Sequence, residues 1–254
     1  MCKPFIDIIN IKFTYPDSLE ETIKDISLQI DKNEKIALIG PNGAGKSTLL
    51  MLLNGTRAAN NGTIRIDGIT LNNKNIKSIR SKIGMVFQDP DDQLFCPTLY
   101  EDVAFGPKYL KNLEQAELEK QVVYSLETVN LLSKKDCPPF HLSFGEKKRA
   151  SVASVISYSP EILILDEPTG NLDHKNRRSL IKFLKEWKNT LIVVSHDLDF
   201  VFETCTRVII MNKGKIIADN KTEIILQDKI LLENNDLELP LCLQKLVGVG
   251  LALP

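Results

Sequence analysis

Residues 35–48, KIALIGPNGAGKST, constrain the fold more than any other stretch of the chain. KIALI is a short continuous apolar run, the pattern of a strand buried on both faces. GPNGAGKST follows at once and satisfies G-x-x-x-x-G-K-[ST]. Glycines there let the backbone turn its N–H groups inward, and the helix expected from Lys46 adds its positive end. Gly40, Pro41, Asn42, Gly43, Ala44, Gly45 and Thr48 make the cradle of a nucleoside triphosphate such as ATP. Lys46 can then reach the β- and γ-phosphates, and the Ser47 hydroxyl can ligate Mg²⁺.

The rest of the chain alternates in a way that fits this start. Residues 5–15 and 23–30 run apolar–polar, with Ile26, Leu28 and Ile30 on one face, as half-buried antiparallel strands do. After a helix from Lys46 to Asn54 come strands at TIRID and IGMVFQ (83–88). EILILDE reads as a strand, 174–188 as a helix, TLIVVSH as a strand, and RVIIMNKGKIIAD as a hairpin turning at 212–214. Strands alternating with helices imply an α/β fold with a mostly parallel core sheet and an antiparallel β flank. Residues 112–133 have helical spacing and lie between the Pro-bearing DPDDQLFCPT and CPPFHLS, which predicts an inserted helical subdomain over 90–140.

Three strand ends add chemistry. EILILDEP delivers Asp166 to a sheet edge, where it can hold the Mg²⁺ shell, and Glu167 follows in position to polarise an attacking water as a general base. His196 ends TLIVVSH and can contact a γ-phosphate or orient that water. Gln88 ends IGMVFQ and offers an amide oxygen to Mg²⁺ or to the water. Tyr15, in FTYP, has two readings: a base-stacking aromatic, or a core aromatic on an edge strand.

HLSFGEKKRA (141–150) reads as a helix start, because Ser143 and Glu146 have the spacing of a capping box. Lys147, Lys148 and Arg149 follow, and cations near a helix N-terminus oppose its macrodipole. Either that face is solvated or something negative is meant to meet it.

Net charge is −1 and the apolar fraction 43%, so no global basic field argues for nucleic acid or an anionic membrane surface. The five cysteines (Cys2, Cys96, Cys137, Cys205, Cys242) lack metal-ligand spacing, which favours free thiols in a reducing compartment. The opening MCKPFIDIINIKFTYP alternates and carries charge, unlike a secretion signal. No apolar run is long enough to span a bilayer. The apolar LVGVGLALP at 246–254 is expected to pack on its own domain or on a partner subunit.

GPNGAGKST, Gln88, LSFGEKKR, ILILDEP, NLD (171–173) and His196, in this order, resemble the ATP-binding cassette family over residues 5 to about 220. The resemblance implies a P-loop cassette: a RecA-like core with antiparallel flank at 1–89 and 141–220, the helical insertion at 90–140, and a C-terminal extension at 221–254. It also implies head-to-tail pairing with a second cassette, alike or unlike. Each ATP is then held between the Walker motifs of one subunit and the signature of the other. By position Ser143, Phe144, Gly145 and Glu146 are the signature, and Asp173 is the D-loop aspartate crossing the interface.

VFQDPDDQLFCPTLYEDVAFGP (86–107), CPPFHLSFGEKKRA (137–150) and LELPLCLQKL (237–246) are similar to the ATPases of energy-coupling factor importers, most closely the cobalt/nickel type. That resemblance implies hydrolysis of ATP with Mg²⁺ at the cytoplasmic face of a membrane. It implies partnership with a membrane scaffold subunit, received by the stretch after Gln88, and with a substrate-binding subunit. It further implies a C-terminal extension that contributes to pairing of the ATPases. Phe144 and Glu146 depart from the usual Gly and Gln of the signature, and TGNLDH lacks the proline that often follows the aspartate. The competing readings are an importer ATPase for a vitamin such as biotin, a soluble cassette acting on DNA or ribosomes, and a module whose nucleotide only regulates assembly. The soluble cassette would call for two cassettes in one chain, a coiled-coil insertion or a basic arm, and the module reading is opposed by Glu167 and His196.

Overall fold

The computed structural model describes residues 3–248, with side chains through Gln244. Cys2 and residues 249–254, the end of the apolar stretch, lie outside the described residues. The chain begins β1 (Ile6–Phe13), β2 (Ile23–Ile30), β3 (Lys35–Ile39), α1 (Lys46–Leu53), β4 (Asn61–Ile66) and β5 (Ile69–Thr70). It continues α2 (Ile76–Arg80), β6 (Ile83–Val86), α3 (Leu99–Leu110), α4 (Gln115–Thr128), α5 (Phe144–Ile156), β7 (Ile162–Asp166) and α6 (His174–Glu186). It closes with β8 (Thr190–Val194), α7 (Leu198–Thr204), β9 (Arg207–Asn212), β10 (Lys215–Lys221), α8 (Thr222–Gln227), α9 (Lys229–Glu233) and α10 (Leu241–Gly248). Two compact units result, one of residues 1–75 with 190–254 and one of residues 76–189.

In the first unit β2, β1, β4 and β5 form an antiparallel sheet in that order. Ile6 faces Ile30 on one side and Ile66 on the other, and Ile26, Leu28 and Ile30 are buried, as the alternation in β2 requires; Ile23 is buried too, across a shift in register beside Asp25 (φ +59°). The same unit holds β3 between β8 and β9, parallel to both, with β10 returning antiparallel beside β9. β8 is buried along its whole length and β3 everywhere except Lys35, which is why both read as continuous apolar runs. Arg207 ties this sheet's end together: its guanidinium binds Asp219 of β10 through two 2.6 Å contacts and Glu34, in the turn before β3, at 3.0 Å.

In the second unit β6 and β7 pair in parallel, Ile83 against Ile162 through Val86 against Leu165. α3, α4 and α5 pack on one another. The single helix expected over 112–133 is shorter, and a second helix, α3, precedes it. Asn112 with φ +52° separates the two. α3 starts at a capping box of its own: Glu101 N–H donates to the Thr98 hydroxyl at 3.3 Å, and Glu101 accepts from Thr98 N–H at 3.1 Å. Pro107 sits inside this helix, which is why the segment reads locally as broken. The unit's bounds enclose β6, β7 and α6 as well as the helices of 90–140, so compactness divides the chain more widely than the expected insertion does. Among the described residues no helix is long and apolar enough to cross a membrane.

Candidate functional site

The first unit carries the loop expected to bind phosphate. β3 ends at Ile39, and Gly40 takes φ +143° so close to β9 that a Cβ there would stand 2.0 Å from the Met211 carbonyl oxygen. A Cβ on Gly43, at φ +76°, would meet nothing within 4 Å, so this point of the loop is open to an incoming group. Gly45 caps α1 in a left-handed conformation and Lys46 begins it. Lys46 is 6% exposed and donates to the carbonyl oxygens of Gly40 (2.7 Å) and Pro41 (2.9 Å). A phosphate oxygen is a stronger acceptor for an ammonium than either carbonyl, so this loop fits an anion arriving on its open side.

Two of the expected residues lie beside this loop. His196 lies two residues beyond β8, is exposed, and places Nε2 3.1 Å from Asn42 Oδ1. Tyr15 lies beyond the end of β1, half-buried. Its ring packs edge-on to Phe13 at 4.9 Å, Arg57 sits 5.3 Å above it, and its hydroxyl is 3.0 Å from Thr48 Oγ1. Tyr15 is therefore neither a strand residue nor fully in the core, and the hydroxyl link to α1 fixes where its ring stands. Ser47 and Thr48 follow Lys46 in the first turn of α1, with Ser47 half-buried.

The second unit carries the carboxylates. β7 delivers Asp166 to its end, buried, and Glu167 follows with φ +47°, a left-handed conformation in a non-glycine residue. Gln88 lies exposed two residues past β6. The hydroxyl of Ser47, the amide oxygen of Gln88 and the carboxylate of Asp166 are all hard oxygen donors, the chemistry that suits Mg²⁺. Asp173 caps α6, accepting from Asn176 N–H at 2.7 Å.

The segment at 143–146 forms the capping box expected of it. Glu146 N–H donates to Ser143 Oγ at 3.3 Å and Ser143 N–H to Glu146 Oε2 at 3.0 Å. Lys134 binds Glu146 at 2.6 Å and, with the Ser143 N–H, holds that carboxyl below its ordinary range. Ser143 Oγ thus already accepts one bond, while the N–H groups of the first helical turn have no intrahelical partner by construction. Phe144 is 40% exposed, so the ring that replaces the usual glycine stands at the surface of this unit.

The three cations meet neither open solvent nor an absent anion in the first instance; each has an internal acceptor. Lys147 pairs with Asp91 at 2.6 Å. Arg149 reaches the C-terminal end of α4 and donates to the carbonyls of Val129 (2.6 Å) and Asn130 (3.4 Å), so it complements the negative end of another helix. Lys148, 3% exposed, donates to the Glu167 carbonyl at 3.0 Å and lies 3.5 Å from that of Phe87.

Two residues in the stretch after Gln88 escape sequence reasoning. Gln93 accepts from Phe87 N–H (3.2 Å) and donates to Ser151 O and Ser154 Oγ (2.9 Å each), so it fastens this loop to α5. Asp102 of α3, buried, accepts from the N–H groups of Phe95 and Cys96 at 3.0 Å each. Two of the Gln93 partners lie far along the chain on α5, and those of Asp102 are backbone N–H groups that leave no trace in residue identity; the local hint for Asp102 is an acid inside an otherwise apolar helix face. With Gln93 and Leu94 turned inward, Phe95 is left 69% exposed, its ring 5.2 Å from that of Phe105, which lies tilted 4.7 Å from the Tyr109 ring.

A family model described as ABC transporter matches residues 23–170. The energy-coupling factor transporter ATP-binding protein EcfA of Carboxydothermus hydrogenoformans is 41% identical over 239 residues, 93% of this chain and 87% of that protein. Among solved structures, cbiO1 from Clostridium perfringens, described as part of the ABC transporter complex cbiONQ, superposes with a TM-score of 0.77 at 34% identity, covering 91% of this chain and 94% of that one. The ATP-binding cassette MJ0796, solved as a dimer in a post-hydrolysis state with ADP and Pi, gives a TM-score of 0.79 at 27% identity, covering 85% and 98%.

Proposed function

The chain belongs to the ABC transporter family, in which it is an ATP hydrolase, and we propose that it drives an energy-coupling factor importer whose cargo is cobalt or nickel. In this reading it sits at the cytoplasmic face of the membrane, paired with a second ATPase subunit, and works with a membrane-embedded scaffold and a solute-binding subunit. It never touches the cargo itself.

The observation that carries the reading is the aromatic row of Phe95, Phe105 and Tyr109 on the surface of the second unit, continuous with the DQLF stretch. Three large rings in a row, Phe105 touching the other two and all open to solvent, suit an interaction surface better than a core. Gln93 and Asp102 hold its backbone rigidly to α5 and α3, so displacement of those helices would be passed to whatever covers the rings. Apolar segments of a membrane scaffold are suitable partners. Similarity to an energy-coupling factor subunit and to cbiO1 supports the same class.

The proposed cycle uses residues already described. The 40–48 loop holds the triphosphate, with Lys46 exchanging its carbonyl partners for phosphate oxygens. Ser47, Gln88 and Asp166 would hold Mg²⁺, which would supply charge neutralisation on the phosphates. The signature of the opposite subunit, Ser143 to Glu146, meets the γ-phosphate, and a ligand that contacts both subunits only when they are closed shifts the equilibrium toward closure. Glu167 then accepts a proton from the attacking water. The new P–O bond forms as the bond to the β-phosphate oxygen breaks, and ADP leaves with that electron pair. With the bridge gone the dimer reopens.

Two experiments test this. Glu167→Gln should bind ATP nearly as well as the parent and lose turnover; full hydrolysis by that variant overturns the base assignment. Co-purification with the membrane partners should yield a solute-binding subunit that takes Co²⁺ or Ni²⁺, and a vitamin-binding subunit in its place overturns the cargo.

A further inference from the structure

Lys148 lies inside the second unit with its ammonium almost wholly buried, 3% exposed. Burying an ammonium is unfavourable, and methionine would fill the same slot without a charge to desolvate. The charge is therefore retained for something it holds. Nζ donates to the carbonyl oxygen of Glu167 at 3.0 Å and stands 3.5 Å from that of Phe87, the residue before Gln88. It belongs to α5, the helix that Ser143 caps. One ammonium thus links three segments: the signature helix, the end of β7 and the end of β6.

The bond to Glu167 falls at a strained point. Glu167 has φ +47°, a conformation that a residue with a long side chain adopts uncommonly and at a cost. That backbone twist sets the direction in which the side chain leaves the strand end. Its carbonyl oxygen is the atom Lys148 grips. Asp166, Glu167 and Asp89 supply the compensating negative charge, which opposes the loss of the proton that burial favours.

We infer that Lys148 is a positioning residue for the hydrolytic step: it fixes the left-handed backbone of Glu167, and so the aim of its carboxylate, from the signature helix. It touches neither nucleotide nor water itself. The inference rests on the reading of Glu167 as general base, and it adds a direct connection between the helix that senses the second subunit's ATP and the base of its own subunit.

The test compares Lys148→Met and Lys148→Arg in the chain co-purified with its membrane partners, following phosphate release against ATP concentration. Lys148→Met should lose at least tenfold in kcat while KM for ATP changes less than threefold, because the nucleotide loop is untouched. Lys148→Arg, which keeps charge and donors, should retain more of kcat than Lys148→Met. If Lys148→Met does not fold, Lys148→Gln takes its place under the same thresholds. Unchanged kcat in the neutral variant, a loss shared equally by KM, or an arginine variant no better than the neutral one overturns the inference. Glu167→Gln in the same preparation separates the two readings. If it turns over normally, the base assignment fails; if it is inactive while Lys148→Met is active, only the role of Lys148 fails.

Discussion

Replacing Asp102 with alanine should destabilise the second unit by an amount that can be worked out from its surroundings. The carboxylate is 4% exposed, and one oxygen accepts from the N–H groups of Phe95 and Cys96 at 3.0 Å each. The other oxygen is buried with no hydrogen-bond partner among the described residues. Hydrogen bonds to a charged group contribute roughly 1.5–3 kcal/mol apiece. Removing two of them, less the relief of no longer burying a carboxylate, should cost about 2–4 kcal/mol. For a domain of this size that lowers the melting temperature by roughly 5–15 °C, readable by circular dichroism. Asp102→Asn keeps a carbonyl oxygen for the two N–H groups and should lose less than half as much.

The pH dependence supplies an independent check. Burial, partly opposed by the two N–H bonds, raises the Asp102 pKa above its ordinary value. An acid whose pKa is higher in the folded state binds its proton there first. Its stabilising contribution is therefore complete below the unfolded pKa and is lost as pH rises through the folded pKa. The stability gap between parent and Asp102→Asn should widen in the parent's favour as pH falls across that window. An Asp102→Ala melt within about 2 °C of the parent, or a gap that narrows on acidification, would refute the account of this carboxylate.

Further outcomes follow from other sites. Ser143→Arg should leave the melting temperature within a few degrees and ATP binding intact, yet abolish ATP-driven dimer closure, measured by light scattering with a hydrolysis-deficient partner. Tyr15→Phe removes the bond to Thr48 but keeps the ring; if stacking is the function, its ATP affinity should fall less than threefold, and that of Tyr15→Ala at least tenfold, by titration calorimetry. Gly40→Ala should abolish nucleotide binding or folding, because a Cβ would stand 2.0 Å from a backbone oxygen in a conformation that side chains rarely adopt.

The framework of the molecule was legible because its signals are local. KIALI and TLIVV are buried on both faces and so are apolar without interruption, while IKDISLQI alternates because only one face is covered. The capping box at Ser143 is complete within four residues and could be read from spacing alone. α3 was obscured by Gly106 and Pro107, which weaken a helix locally but are tolerated where Val103, Gly106 and Pro107 are buried. The partners of Lys147, Lys148 and Arg149 were beyond reach for a different reason. Asp91, Glu167 and Val129 lie on other elements, and two of the three acceptors are backbone carbonyls, which leave no trace in residue identity.

The left-handed backbone at Glu167 also bears on how such a chain evolves in the laboratory. A non-glycine residue in that conformation carries a penalty of about 1 kcal/mol or more, from which glycine is exempt and asparagine partly so. Variants chosen for heat resistance alone should therefore accumulate Gly or Asn at 167, gaining stability while discarding the carboxylate. A library screened for both heat resistance and phosphate release should leave this position unchanged and gather its improvements elsewhere. The position thus reports which pressure a population has experienced: drift at 167 records a protein kept for its fold, and constancy one kept for its turnover.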